Sequence, residues 1–218
     1  MSEDIGYASI LTPNYLLAQD ISEGDGIWYP NIAKSMGVSV ATIRASLYLR
    51  ADKLFETNWR FAIQAGIKKL AYHWFVPTLD AVAQANYFVA HSYSGEYPRM
   101  VDLEDYPKGG IYAYVGIADK IKLFLDRVEA LTGERCLIYV NKNYSDSYFR
   151  RPYATGTSPR DSWLSTYPVV IASWNNNYPA IPWPWHPMLW QGWQYSGYIH
   201  GPTYGIQSTQ TSLYIWKP

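Results

Sequence analysis

The chain is almost without cysteine: Cys136 is the only one in 218 residues. That excludes an internal disulfide and the class of secreted folds stapled by several bridges, so synthesis in a reducing cytoplasm is the direct expectation. A surplus of charge is missing too, with 18 basic against 18 acidic residues. Domains that hold nucleic acid carry a basic excess, and no nucleic-acid partner is expected here. Long hydrophobic runs are also absent. The opening stretch MSEDIGYASILTPNYLLAQD has acids where a signal peptide would be basic, and nothing later approaches an apolar span. The expectation is a protein made in the cytoplasm without a signal peptide, not inserted in a membrane, which needs another route to any target outside the cell. Metal-binding spacing is lacking as well. His73, His91, His186 and His200 form no His-x-His or His-x-x-x-His pair, and no Gly-x-Ser-x-Gly or phosphate-cradling loop occurs, so no metal or cofactor is expected.

What the chain does have is aromatic surface: 21 Tyr, 10 Trp and 6 Phe, or 17% of the residues. Most of these are expected to fill the core, since each buries a large area and Tyr and Trp need a partner for one polar atom. A late cluster, ASWNNNYPAIPWPWHPMLWQGWQYSGY over 172–198, is interrupted by prolines that forbid regular structure. It suits a groove for a ligand with flat apolar faces, as sugar rings have. Trp174 and Tyr195 are its candidate sugar contacts. On one strand Gln194 projects opposite to Trp193 and Tyr195, so at most one of those two faces meets a substrate.

Along the chain, strands and helices alternate. VATIRAS (40–46) reads as a strand and NWRFAIQAG (58–66) as a helix stopped by Gly66. KLAYHWF (69–75) is the next strand, followed by a helix over 79–92 with Val82, Ala85, Tyr87 and Val89 on its apolar side. MVDL is a strand. The clearest helix, 111–132, places Ile117, Ile121, Phe124, Leu125, Val128 and Leu131 at spacings of three and four, with Gly133 beyond. CLIYV (136–140) follows, and after residue 150 the helical period fades, leaving strand candidates at 168–173, 188–196 and 211–216. This is α/β order: about five strand-helix units, then three strands with little helix. It fits parallel strands in an open doubly wound sheet or a closed barrel. With 48% hydrophobic residues, residues 16–218 make one barrel-sized domain, and 1–15 read as an extension wrapped on it.

RMVDLEDYP (99–107) is where chemistry is expected. Catalytic side chains of parallel α/β folds sit at the C-terminal ends of strands, and MVDLE puts Asp102 and Glu104 there. Two residues apart on a strand, they share a face with Cα atoms ~6.6 Å apart, while Leu103 points the other way. Carboxylates that close repel, so one pKa rises, as a general acid requires; glycoside hydrolysis is the standard chemistry of such a pair. Asp-x-Glu at a strand end also serves as a metal site, as a partner for Arg44 or Arg99, or merely as a solvated loop start. Tyr72 and Tyr139, near strand ends, either line a sugar groove or fill a barrel layer.

Several segments together resemble glycoside hydrolase family 25, the Chalaropsis-type lysozymes. QDISEGDG (19–26) resembles the family's first strand, VATIRAS and FETNWRFAIQAGIKKLAYHWF its second and third, and VDLED its catalytic Asp-x-Glu. TGERCLIYVN, VIASWN and WQYSG resemble the fifth, sixth and seventh, so the likeness runs over 16–216 in family order. The resemblance implies a distorted TIM-like barrel of eight strands, the last three short of helix. It implies hydrolysis of the β-1,4 bond between N-acetylmuramic acid and N-acetylglucosamine in bacterial peptidoglycan. A lysozyme without a signal peptide needs a lysis system to reach the wall, so a phage endolysin released by holin-type lysis, acting as a monomer, is the expectation. By position, Glu104 is then general acid and base, Asp102 orients the substrate's acetamido group or holds charge, and Asp20 flanks the cleaved sugar.

Two departures stand out. Where the family's last strand reads apolar-Asp-apolar-Asn, this chain has TSLYIW, with Ser212 and Tyr214 at those places. Where the family carries Lys and then Thr-Glu-Gly, this chain has IRASLY: Arg44 keeps the charge and Leu47 loses the acid. Arg44 is left to contact substrate or to pair with Asp20 or Glu104. A weakened or inactive homologue that binds peptidoglycan, or serves as a virion component, is the alternative.

Overall fold

The computed structural model describes residues 14–104, 116–149, 161–174, 177–187 and 189–218. Residues 1–13 of the extension expected over 1–15, the loop from Asp105 and the start of the helix foreseen from residue 111 lie outside them. Among the described residues nine strands form one sheet: β1 (Leu16–Ile21), β2 (Val38–Leu47), β3 (Arg50–Ala51), β4 (Lys68–Trp74), β5 (Met100–Leu103), β6 (Leu137–Asn141), β7 (Val169–Ala172), β8 (Trp190–His200) and β9 (Gln210–Trp216). Their order is β1-β9-β8-β7-β6-β5-β4-β2-β3, and a further pairing of β1 with β2 closes eight of them into a barrel. β3 is a hairpin strand added to the outer end of β2. From β1 round to β8 the pairings are parallel, whereas β9 runs antiparallel to both neighbours. The alternating part and the three late strands match the sequence reading; the reversal of β9, reached by the turn at 201–205, is what periodicity does not reveal.

The helices lie outside: α1 (Pro30–Ser35), α2 (Phe55–Ala65), α3 (Ala81–Ala90), α4 (Ile117–Thr132) and α5 (Lys142–Tyr148). Gly66 ends α2 at φ 64°, a left-handed value that glycine adopts without Cβ strain. α3 starts under an Asp80 cap that accepts from the Ala83 N–H, and α5 under an Asn141 cap that accepts from Tyr144. α4 buries Ile117, Ile121, Phe124, Leu125 and Val128 as its spacing predicts, but Leu131 stays exposed in the last turn. α3 differs more. Its buried face is Ala81, Gln84, Ala85 and Phe88, with Val82 outside. Gln84 belongs inside because its amide accepts from Val76 N (2.8 Å) and donates to Val76 O (3.0 Å). Among the described residues no helix is long and apolar enough to cross a membrane.

Strand alternation divides the core in two. Outward residues such as Ile43, Ala71, Val101, Leu103, Ile138 and Ile171 pack under the helices. Inward ones, Ala18, Val40, Leu70, Met100, Leu137, Val170 and Trp216, fill the barrel, capped toward the strand C-termini by Tyr72, Tyr139 and Tyr214. That plug is the floor of the site.

Candidate active site

Above the three tyrosines the inward positions turn polar. A cavity of about 140 Å³ opens there, and its carboxylates are Asp20, Asp25, Asp102 and Glu104. Arg44 is the one cationic side chain lining it among the described residues. Each side chain is placed by its strand: Asp20 near the end of β1, Arg44 on β2, Tyr72 and Trp74 on β4, Asp102 on β5 with Glu104 just beyond it. Register puts Trp74 beside Asp102 and Asp102 beside Tyr139. Leu103 lies in the outer core, so the alternation across MVDLE is as the sequence indicates. A second hollow of about 220 Å³ shares Glu104 and Tyr139 and continues past Asn141 and Ala172 to Trp174. Glu104 therefore stands where an acidic pocket meets an apolar shelf. A larger hollow of about 390 Å³, between the 27–32 segment and α2, holds no carboxylate or histidine.

Burial decides the electrostatics. It pushes the Asp20 carboxyl up to about 7, with the charge of Asp25 adding to the rise; Arg44 and hydrogen bonds from Tyr72 and Thr42 oppose it. Thr42 Oγ1 donates to Asp20 Oδ1 at 3.2 Å. Asp102 is raised well above the carboxylate range, first by burial, then by the charges of Glu104 and Asp20. Its Oδ1 is buried without a hydrogen-bond partner among the described residues. Asp25 is raised by burial although Oδ2 accepts from Ser22 N (2.7 Å) and Ser22 Oγ (2.8 Å). Three carboxyls of the site are thus held above their usual range, the direction that proton-donating chemistry requires. Among the described residues no group of three or more His, Cys, Asp or Glu is disposed to hold a metal ion.

Arg44 takes neither partner foreseen for it. Its Nε donates to Asp52 Oδ2 at 2.9 Å and Nη2 stands 3.8 Å from Glu23 Oε1. Arg99 pairs with Glu134, on the far side of the strand, at 2.7 Å. Trp174, 38% exposed, donates its indole N–H to Gln194 Oε1 at 2.7 Å. Gln194 faces the barrel, accepting also from the Tyr139 hydroxyl (2.9 Å) and donating to that of Tyr214 (2.9 Å). Tyr195 is a correction. It faces outward and is buried with Trp193, Leu213 and Ile215, and it lines neither hollow. Ser212 does not line the acidic cavity, whereas Tyr214 does. Asp25, Asp52, Trp74, Gln194 and Tyr214 were not singled out as site residues from the sequence. Trp74 had a usable signal, two residues after Tyr72 on the same strand face; Asp25 and Asp52 come from turns.

The comparisons agree with this geometry. Residues 19–202 match the family model described as Glycosyl hydrolases family 25. The chain is similar to Lysozyme M1 of Streptomyces globisporus, 28% identical over 81% of this chain and 60% of that one. It is 35% identical to the N,O-diacetylmuramidase of Arthroderma benhamiae over 55% of this chain and 52% of that one. The chain spans about half the length of the curated relatives it matches, from 47% to 60% of those at hand. The crystal structure of the bacterial lysozyme from Streptomyces coelicolor superposes with a TM-score of 0.77 at 25% identity, covering 91% of this chain and 90% of that one. An eight-stranded barrel with a reversed last strand, an Asp-x-Glu at the end of β5 and a model match over most of the length converge: the chain belongs to glycosyl hydrolases family 25.

Proposed function

We propose that the chain is a lysozyme, a β-1,4-N-acetylmuramidase that cuts bacterial peptidoglycan between N-acetylmuramic acid and N-acetylglucosamine. The observation that carries this reading is the convergence of Asp20, Asp102 and Glu104 on one cavity at the C-terminal end of the barrel. Glu104, at the meeting of the acidic pocket and the apolar shelf, is the general acid. A proton kept on the Asp102–Glu104 pair passes from Glu104 to the bridging oxygen as the C1–O4 bond breaks. The N-acetylglucosamine side leaves as an alcohol. Water then adds to C1 and gives its proton to the Glu104 carboxylate, so one water is consumed and the enzyme is restored. Asp102, with an unpartnered Oδ1, orients the acetamido group, and Asp20 faces the charge that develops on the cleaved ring. Arg44, Tyr72 and Tyr139 line the sugar, and Trp174 offers an aromatic face to the far side. The enzyme acts on the wall as a monomer, after release from the cytoplasm by a lysis system.

A glycan-binding relic is the second reading, favoured by Ser212 in the last strand. Against it, Asp25 keeps four carboxylates in the cavity. The test is turnover of purified peptidoglycan by the protein and by Glu104→Gln. Solubilisation by the first and loss of ~10³-fold or more in the second supports the enzyme; equal binding of both to the wall with no solubilisation leaves the relic.

A further inference from the structure

Trp74 closes β4 facing into the acidic cavity, one strand from Asp102. Its indole Nε1 is buried and has no hydrogen-bond partner among the described residues. An indole N–H can only donate, and leaving a buried donor unsatisfied is costly, so native sites pair such groups or reserve them for a ligand. The neighbouring Asp102 Oδ1 is in the same condition. Two unsatisfied polar atoms therefore stand on adjacent strands, which run ~4.8 Å apart, over a floor of three tyrosines.

We propose that Trp74 is a specificity-determining residue of this site, its Nε1–H donating to the carbonyl oxygen of the substrate's 2-acetamido group while Asp102 takes the amide side of the same group. The proposal rests on the glycosidase reading above. An acetamido group offers an acceptor and a donor on two separate atoms, which matches two separated protein groups better than a single hydroxyl does. Several other donors near that point are turned elsewhere: Thr42 Oγ1 to Asp20 and to Gln19 O, the Tyr139 hydroxyl to Gln194, and Arg44 Nε to Asp52. Beside the Arg44 Nη groups, Nη2 of which stands 3.8 Å from Glu23, Trp74 is thus a donor the cavity has to spare, and it is the one on the strand next to Asp102. Its consequence is discrimination. A sugar with a hydroxyl at C2 leaves the indole N–H unpaired and binds worse, in the way that polar pockets reject ligands lacking the group they were built to read.

The experiment uses the full chain carrying Glu104→Gln, so that sugar is bound and not cut, with ¹⁵N-labelled tryptophan. The probes are the β-1,4 trimer of N-acetylglucosamine and cellotriose, its equally uncharged counterpart with C2 hydroxyls. The acetylated trimer is expected to move the Trp74 indole signal downfield and slow its exchange with solvent, while cellotriose does not. Adding Trp74→Phe is expected to weaken the acetylated trimer by about ten-fold and leave cellotriose unchanged. Stability should change little, because no hydrogen bond is lost on folding, and the indole spectrum needs no change at position 74. Shifts at other site signals with Trp74 unmoved, or equal weakening of both sugars by Trp74→Phe, would overturn the proposal and leave the glycosidase reading standing. Failure of either sugar, and of peptidoglycan fragments, to move any site signal would overturn both.

Discussion

Arg44 is held by Asp52: its Nε donates to Oδ2 at 2.9 Å, and the Asp52 carboxyl, with no exposed side-chain surface, also accepts from Glu23 N and Leu54 N at 2.9 Å each. The turn after β1 and the β2–β3 hairpin are thereby tied to the cation of the site. Asp52→Asn removes the charge in direct contact with Arg44 and leaves it the Glu23 carboxylate 3.8 Å away, so its positive charge acts more strongly on Asp20, Asp25 and Asp102. The Asp20 titration is expected to fall from about 7 by ~1 pH unit, read by carboxyl ¹³C shifts, and unfolding in urea to come easier by ~3 kcal/mol because a buried pair is broken.

Asp20 also makes stability depend on pH. Its native carboxyl titrates at about 7 against a usual 3.8, so between those values the native state holds more protons than the unfolded chain. Stability is therefore fully present below about 3.8 and declines as pH rises toward 7. Asp20→Asn removes that decline. The variant should gain on the order of 1 kcal/mol at pH 8, a rise of ~2–4 °C in Tm, and nothing at pH 4, while losing most activity.

His73 acts in the opposite sense. It is fully buried between Ser46 Oγ (2.9 Å from Nδ1) and Gln84 Oε1 (3.2 Å from Nε2), and burial lowers its pKa from 6.5 to about 4. The unfolded chain takes up the proton first, so this contribution is present above about 6.5 and is lost as pH falls toward 4. Because Asp20 slopes the other way over the same interval, the His73 contribution is read as a difference: the unfolding free energy of the protein minus that of His73→Gln should fall by ~2 kcal/mol between pH 6.5 and pH 4.

How much could be read in advance follows from where each group sits. Asp20, Asp102 and Glu104 end strands, where alternation alone fixes the face, and they were legible. Asp25 stands in a 3-10 turn held by its reciprocal cap with Ser22, and Asp52 beyond a two-residue strand; only tertiary contacts bring them to Arg44. The opposition of Gln194 to Trp193 and Tyr195 was legible, but not which side faces the inside of the barrel. The mouth of the barrel is polar, and the outer face of β8 and β9 takes Trp193 and Tyr195. Gln84 hid the true face of α3 because a polar residue that hydrogen-bonds a buried backbone is invisible to hydrophobic periodicity.

Cys136, fully buried with its thiol pushed up to about 12, is expected to resist thiol reagents in the native protein at pH 8 and to react at once when unfolded. A mass shift after brief alkylation, with and without urea, checks this.

The most direct test of the account is the identity of the new reducing end. Purified peptidoglycan digested by the protein and then reduced with borohydride should yield muropeptides ending in reduced N-acetylmuramic acid, absent after treatment with Glu104→Gln. Reduced N-acetylglucosamine ends, or the same products from the Glu104→Gln variant, would contradict it.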